Sequence, residues 1–285
     1  MNSSETFSNW LLDVGNGISG NIITLPSQTV VKTESELIHS VFGDHLGPNS
    51  SNQILRRCIL CVTNVTALRL NETIVSQFSG RSKVYYSQDW LVDPKTSIII
   101  NTSESDIIPA EQLYSLTPSG LPPHILTVKK GCPIILIRNL NVKQGLCNGT
   151  RLIVSDMRDN FLSVRFPDSS ETFMIPRIPL IGHDSSIPYH LKRLQFPIRL
   201  AFSMTINKSQ GQTLQRVGLH LEKPVFTHGQ LYVGLSRVRS EHDISVFLGR
   251  NEQLRATMHS HLDHNGEHQT FNIVFPEVIH RHTDG

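Results

Sequence analysis

Short apolar runs separated by polar turns set the texture of this chain. Ser35 to Phe42 places Leu37, Ile38, Val41 and Phe42 at helical spacing and predicts an amphipathic helix. His45 to Gln53 (HLGPNSSNQ) is rich in turn formers and predicts a linker and a boundary. Cys58 to Val62 is a brief apolar run, the pattern of a buried strand. Thr63 and Asn64 end that run. Either side chain can cap the helix that would bury Val65, Leu68, Leu70 and Ile74. Strand, turn and helix in this order are the building block of an α/β sheet.

From about Thr117 to Pro179 the elements shorten. Pro133 to Arg138, Arg151 to Val154 and Leu162 to Phe166 read as short strands, with a turn at Gly145 to Gly149. Strands at this spacing predict a small antiparallel barrel. The α/β texture returns with a strand at Arg199 to Ser203 and a polar, glycine-containing turn at Asn207 to Thr213. A strand at Val217 to Leu221, a helix at His228 to Val238 and a strand at Ile244 to Leu248 follow. The tail from Arg250 is polar and rich in histidine. The expected fold class is α/β, a parallel sheet with flanking helices interrupted by a small β insertion.

Size and charge narrow the function classes. At ~150 residues per domain, 285 residues predict roughly two domains. Lys plus Arg is 26 and Asp plus Glu is 24, a net charge of +2. That balance excludes a basic coat for nucleic acid and an acidic tail protein, and leaves room for a local basic track. No apolar run approaches the ~18 residues of a membrane span. The first residues, MNSSETFSNWLL, lack the basic and apolar order of a signal peptide, so a non-secreted protein is expected. Four cysteines without such a signal predict a reducing compartment.

Several residue groups suit known chemistries only weakly. Cys58 and Cys61 have no second pair at zinc spacing, and buried apolar cysteines are the better reading. His259, His261, His264, His268, His280 and His282 match no closed zinc site, so no metal is expected. Neither Ser209 nor Ser236 lies in a Gly-x-Ser-x-Gly elbow. Phe161, Phe166 and Tyr189 are candidates for stacking bases, although core packing suits at least the two phenylalanines.

Two later segments are richer. In Ala201 to Leu214 (AFSMTINKSQGQTL) a strand runs into a loop holding Lys208, Ser209, Gln210 and Gly211. Amide donors, a hydroxyl and a cation together suit a phosphate or a nucleic-acid backbone; a plain polar loop with a glycine turn is the alternative. In Gln230 to Arg239 (QLYVGLSRVR) apolar residues recur every three or four positions, with Ser236, Arg237 and Arg239 at the end. An arginine there can stabilise a transferring phosphoryl group. It can equally serve as a dipole partner or in a salt bridge.

The order of the motifs adds a resemblance. Thr63-Asn64 before a helix, Leu116-Thr-Pro-Ser-Gly-Leu-Pro-Pro-His, Gly145-Leu-Cys-Asn-Gly-Thr-Arg-Leu-Ile-Val, Thr205 to Leu214 and Tyr232 to Arg239 occur in sequence. Together they resemble the C-terminal half of the helicases encoded by Helitron transposons. These are a branch of the petite-integration-frequency helicases, superfamily-one enzymes that move 5′ to 3′ on DNA. The resemblance runs from about Trp10 to Glu277.

The resemblance implies roles for particular residues. Lys208, Ser209 and Gln210 lie in a motif that couples the nucleotide site to single-stranded DNA. Gln210 and Gly211 would face the nucleotide, and Arg237 takes the place of an arginine finger. Thr63 and Asn64 open a second RecA-like domain near the DNA backbone. Asn148, Thr150 and Arg151 fall on an inserted SH3-like barrel that lies over the DNA path.

The same resemblance divides the chain. Residues 1–50 would be the end of a first RecA-like domain and a linker. Residues 51–115 and 196–250 would be the two parts of the second domain, with 116–195 the barrel and 251–285 the tail. ATP and Mg²⁺ would serve the intact enzyme. Single-stranded DNA and a chain supplying the first RecA-like domain would be its partners, with no membrane involved. Its location would be nuclear or mitochondrial. DNA repair, recombination and telomere maintenance would be its processes.

One departure bears on activity. No Gly-x-x-x-x-Gly-Lys-Ser/Thr string occurs, and no Asp-Glu pair ends an apolar strand. The chain alone is therefore expected to lack ATPase and unwinding activity. A non-catalytic single-stranded DNA-binding module and an inactive transposon relic are the alternatives.

Overall fold

The computed structural model describes residues 3–96, 98–100, 109–118, 120–183, 187–249 and 267–275. Along the chain run α1 (Ser3–Asn16), β1 (Ile22–Thr24), β2 (Val30–Val31), α2 (Glu34–Phe42), α3 (Ser51–Leu55), β3 (Arg57–Cys61) and α4 (Asn64–Gln77). Next come β4 (Ser82–Tyr86), β5 (Gln88–Val92), α5 (Ala110–Ser115), β6 (Ile125–Lys129), β7 (Pro133–Leu136), β8 (Arg151–Met157), β9 (Phe161–Arg165) and β10 (Thr172–Pro176). The chain continues with β11 (Ile178–His183), β12 (His190–Gln195), β13 (Ile198–Leu200), β14 (Ser203–Thr205), β15 (Arg216–His220), α6 (Gln230–Leu235), β16 (Ile244–Phe247) and β17 (Gln269–Phe271). These elements fall into two compact units.

The first unit comprises Met1–Leu46, Arg56–Ile74 and Phe202–Gly285. Its centre is a five-stranded sheet in the order β14-β3-β15-β16-β2, parallel throughout. Cys58 to Cys61 and Val217 to His220 are all buried, as strands covered on both faces must be. Residues up to Leu46 contribute an edge strand, β2, and a helix, α2, that lies on β15 and β16. The resemblance would place both in residues 1–50, the end of a first RecA-like domain and a linker.

Helix α2 buries Leu37, Ile38, Val41 and Phe42, the four predicted positions, and Thr33 caps it by accepting from the Glu36 amide. It approaches β15 closely at Gly218, where an added Cβ would meet Val41 Cγ2 at 2.8 Å and Leu37 Cδ1 at 3.1 Å. Gly218→Val is therefore expected to cost about 1–3 kcal/mol through overpacking. A drop in the urea midpoint measures it.

Helix α4 buries Leu70 and Ile74, two of the predicted positions, and leaves Leu68 half-buried. Val65 is instead 76% exposed, and Ala67 and Asn71 face inward. At the start of α2, Glu34 accepts from Arg69 Nη1 of α4 at 2.8 Å and lies 2.8 Å from His220 Nε2 at the end of β15. The Arg69 hydrogen bond is the largest influence holding the Glu34 carboxyl below its ordinary range. This stabilisation is fully present above the unfolded carboxylate pKa and is lost as pH falls through the lowered folded value. The difference in urea midpoint between the native chain and Glu34→Gln is expected to shrink from about pH 6 to about pH 3.

The second unit comprises Gly47–Leu55 and Val75–Ala201. It holds a five-stranded sheet in the order β10-β9-β8-β7-β13, a three-stranded sheet β11-β12-β5 and the ribbon β4-β6. Every pairing is antiparallel. Leu91, Leu113, Leu121, Ile137, Leu180 and Leu191 form part of one buried cluster. Beside them, Arg193 and Asp89 are register partners on β12 and β5. Their side chains are fully buried, and Arg193 meets the carboxylate through Nε at 2.8 Å and Nη2 at 2.6 Å.

Three predicted elements differ. The expected linker folds as turns and the short helix α3, because Ser51 Oγ donates to the Pro48 carbonyl at 2.6 Å. Asn52 also bonds Asp168 and Arg165 of its own unit. The strand predicted from Arg199 to Ser203 is two strands in two sheets. Arg199 is fixed by donating to the Leu121 carbonyl, and Ser203 by Asn71, whose amide brackets its N–H and C=O at 2.9 and 2.8 Å. The predicted helix from His228 is shorter, because Gly229 precedes it with φ +67° and Ser236 ends it.

Candidate nucleic-acid interface

Ligands of parallel α/β sheets gather at the carboxyl ends of the strands. In the first unit β3 ends there and passes through Thr63 into α4, while β14 ends there and passes into a 3-10 turn, Ile206–Ser209. The two segments meet. Lys208 Nζ donates to Asn64 Oδ1 at 3.3 Å, across 144 positions of sequence. Lys208, Asn64, Gln210 and Gly211 are exposed. Thr63 is partly buried, and its hydroxyl oxygen accepts from the Thr66 amide at 3.3 Å, so it caps α4.

Ser209 plays another part. It is fully buried, and its hydroxyl donates to the Ile206 carbonyl at 2.6 Å, closing the turn. Gly211 has φ +80°, a conformation that favours glycine. Gln212 stiffens the loop by donating from Nε2 to the Lys208 carbonyl at 3.3 Å.

Arg237 straps this loop to the end of α6. Its Nε donates to the Val233 carbonyl at 2.7 Å, its Nη1 to the Gln212 carbonyl at 3.1 Å, and its Nη2 to Ser236 Oγ at 2.8 Å. In return the Leu214 amide donates to the Arg237 carbonyl at 2.9 Å. Gln230, also buried, donates to Asn207 Oδ1 at 3.3 Å and accepts from the Phe226 amide at 3.0 Å. Gln230 and Asn71 position this edge, and sequence reasoning missed both. The available signal was a polar residue among mostly buried helical neighbours, Ala67, Ile74 and Val75 for Asn71 and Leu231 and Gly234 for Gln230.

Asn148, Thr150 and Arg151 belong to the second unit. Asn148 is exposed, and its amide donates to Asn139 Oδ1 at 2.7 Å. Thr150 Oγ1 donates to the Gly145 carbonyl at 2.9 Å, and Arg151 donates to the Ala201 carbonyl at 2.7 Å. Both side chains support the local backbone. Of the aromatic candidates, Phe166 packs edge-on against Phe173 and Tyr189 packs against the buried cluster.

Cys58 and Cys61 are buried, and burial pushes the Cys61 thiol up to about 12, so the thiolate needed for redox or metal chemistry is suppressed. Among the described residues no cluster of three or more His, Cys, Asp or Glu is able to hold a metal ion. His268 alone of the tail histidines lies within the described residues. Ser119 lies outside them. No described helix is long and apolar enough to cross a membrane.

Comparison with known proteins agrees with this architecture. The family described as DNA helicase Pif1, 2B domain, matches residues 111–157. The ATP-dependent DNA helicase PIF1 of Danio rerio is 36% identical over 230 residues, covering 75% of this chain and 33% of that protein. That of Xenopus laevis is 33% identical over 180 residues, covering 62% of this chain and 25% of that protein. The crystal structure of Pif1 helicase from Candida albicans matches with a TM-score of 0.56 and 20% identity, over 98% of this chain and 57% of that one. Bacteroides Pif1 bound to single-stranded DNA matches with a TM-score of 0.51 and 22% identity, over 85% of this chain and 48% of that one.

In fold the chain is of the kind seen in solved Pif1 helicases. In sequence it is homologous to part of the PIF1-type DNA helicases. It spans a quarter to a third of the length of the two vertebrate relatives.

Proposed function

We propose that this chain is the DNA-holding portion of an ATP-dependent 5′-to-3′ DNA helicase of the Helitron branch. In this reading the parallel unit is the second RecA-like domain and the antiparallel unit carries the inserted SH3-like barrel. Single-stranded DNA lies along the carboxyl edge of the parallel sheet, with Lys208 and Asn64 meeting its phosphates. Gln210 and Gly211 face the nucleotide side. The helicase works on DNA in the nucleus or the mitochondrion.

The convergence of Lys208 on Asn64 carries this reading. Two motifs distant in sequence place one exposed cation and one exposed amide side by side, where a phosphate can take both. The Danio rerio relative is named as ATP-dependent. The described residues here hold no carboxylate cluster suited to Mg²⁺, and Arg237 spends donors on its own loop. These residues do not fit a complete ATP site. A chain supplying the first RecA-like domain would complete it, and hydrolysis is assigned to that assembly.

Fluorescence anisotropy with a labelled oligo-dT tests the binding claim. Affinity is expected to fall as salt rises from about 50 to about 200 mM. Lys208→Ala is expected to weaken binding about threefold to fivefold and to flatten the log–log salt slope by about 0.7, the share of one single-strand phosphate contact. No salt-dependent shift at about 50 mM would overturn the reading.

A further inference from the structure

The opposite edge of the same parallel sheet carries a second concentration of charge. β3 begins with Arg57 and β15 with Arg216, and the two are register partners on adjacent parallel strands. Adjacent strands lie ~4.8 Å apart, so two guanidinium stems start side by side. Arg56 and Arg239 join them around an open cleft of about 700 Å³, and Asp243 is the one acidic side chain among its lining residues. A neighbouring cleft of about 440 Å³ shares Arg57 and Arg216, and adds His39, His45 and Asp44.

Like charges paired across strands disfavour folding unless a counter-charge joins them. Burial, and then Arg216, push the Arg57 guanidinium below its ordinary value. Arg216 Nε is buried with no hydrogen-bond partner, although a guanidinium offers five donors in a fork suited to phosphate oxygens. The backbone offers less. The Leu214 amide donates to the Arg237 carbonyl and the Gln215 amide to the Arg56 carbonyl, so neither is available to an anion. No aromatic side chain lines the cleft among the described residues. Recognition would therefore fall on charge and oxygen geometry rather than on a base.

We propose that this arginine cleft, at the amino ends of β3 and β15, binds a phosphate-bearing ligand through its phosphates, independently of the Lys208 edge. The ligand's phosphates come either from a free polyphosphate chain, as on a nucleotide, or from a nucleic-acid backbone.

Isothermal titration of the full chain with tripolyphosphate at about 50 mM salt tests this, with oligo-dT anisotropy run in parallel. Saturable tripolyphosphate binding is expected. Arg216→Gln/Arg239→Gln is expected to weaken it roughly tenfold or more, and Lys192→Gln, a charge removed from the other unit, to leave it unchanged. A parallel loss of oligo-dT affinity in the double variant would identify backbone phosphates as the source, and unchanged oligo-dT affinity would identify a free phosphate chain. Should the double variant melt early, Arg239→Gln, on an exposed side chain, replaces it, with an expected loss of roughly threefold. Absence of saturable tripolyphosphate binding, or undiminished binding in the arginine variants, would overturn the proposal.

Discussion

Arg193→Met is expected to cost about 3–5 kcal/mol of folding free energy. Arg193 and Asp89 both have fully buried side chains. The guanidinium grips the carboxylate through two nitrogens and donates its remaining arm to the Leu116 and Pro122 carbonyls at 3.1 and 2.9 Å. Methionine fills much of the volume but leaves a buried carboxylate without its cation. Ser87 Oγ still donates to Asp89 Oδ1 at 2.7 Å, which offsets only part of the loss, since one hydrogen bond to a charged group is worth about 1.5–3 kcal/mol. Asp89→Leu/Arg193→Met removes both charges and is expected to recover most of the stability. Urea unfolding of the three chains measures this. A loss below about 1 kcal/mol for Arg193→Met would show that the pair is solvated.

The second large effect concerns binding. Arg237→Ala is expected to weaken oligo-dT binding about tenfold, or ~1.4 kcal/mol, although no DNA contact is assigned to this side chain. The reason is the strap between the Gln212 and Val233 carbonyls. Charge-assisted hydrogen bonds are worth about 1.5–3 kcal/mol each, and without them the loop presenting Lys208 loses its fixed shape. Arg237→Lys keeps the charge but not the fork, and is expected to behave nearly as badly as alanine. If Arg237 acted only on the phosphates of a nucleotide, DNA binding by the chain alone would be unchanged in both variants. Anisotropy decides between these, with near-ultraviolet circular dichroism reporting retention of the fold.

The parallel unit was largely legible because its strands are apolar on both faces. Cys58 to Cys61 and Val217 to His220 bury every residue, so their runs stand out against polar turns. The antiparallel unit was legible only in part. β9 alternates openly and β8 shows a plain apolar run at Leu152 to Val154, whereas β12 (His190–Gln195) turns Arg193 and Gln195 inward. Its buried positions include charged and amide groups satisfied by partners distant in sequence, which no periodicity reveals. The strands from Ser82 to Val92 were hidden for a similar reason, since Asp89 is the buried partner of that arginine.

At the candidate interface the residue types were legible but their division of labour was not. Lys208 and Asn64 stand side by side, a juxtaposition that neither segment shows by itself. Ser209, chosen for its hydroxyl, spends it on Ile206. Arg237, chosen as a finger, holds its own loop. A sequence names the donors present, whereas their local acceptors depend on how the turn closes.

In the proposed function this chain holds single-stranded DNA but does not hydrolyse ATP unaided. Phosphate release from ATP by the purified chain, with and without saturating oligo-dT, tests it most directly. No DNA-stimulated turnover is expected under conditions where anisotropy shows the DNA bound. DNA-stimulated turnover that Arg237→Ala abolishes would contradict it, because the chain would then complete a nucleotide site from its own residues.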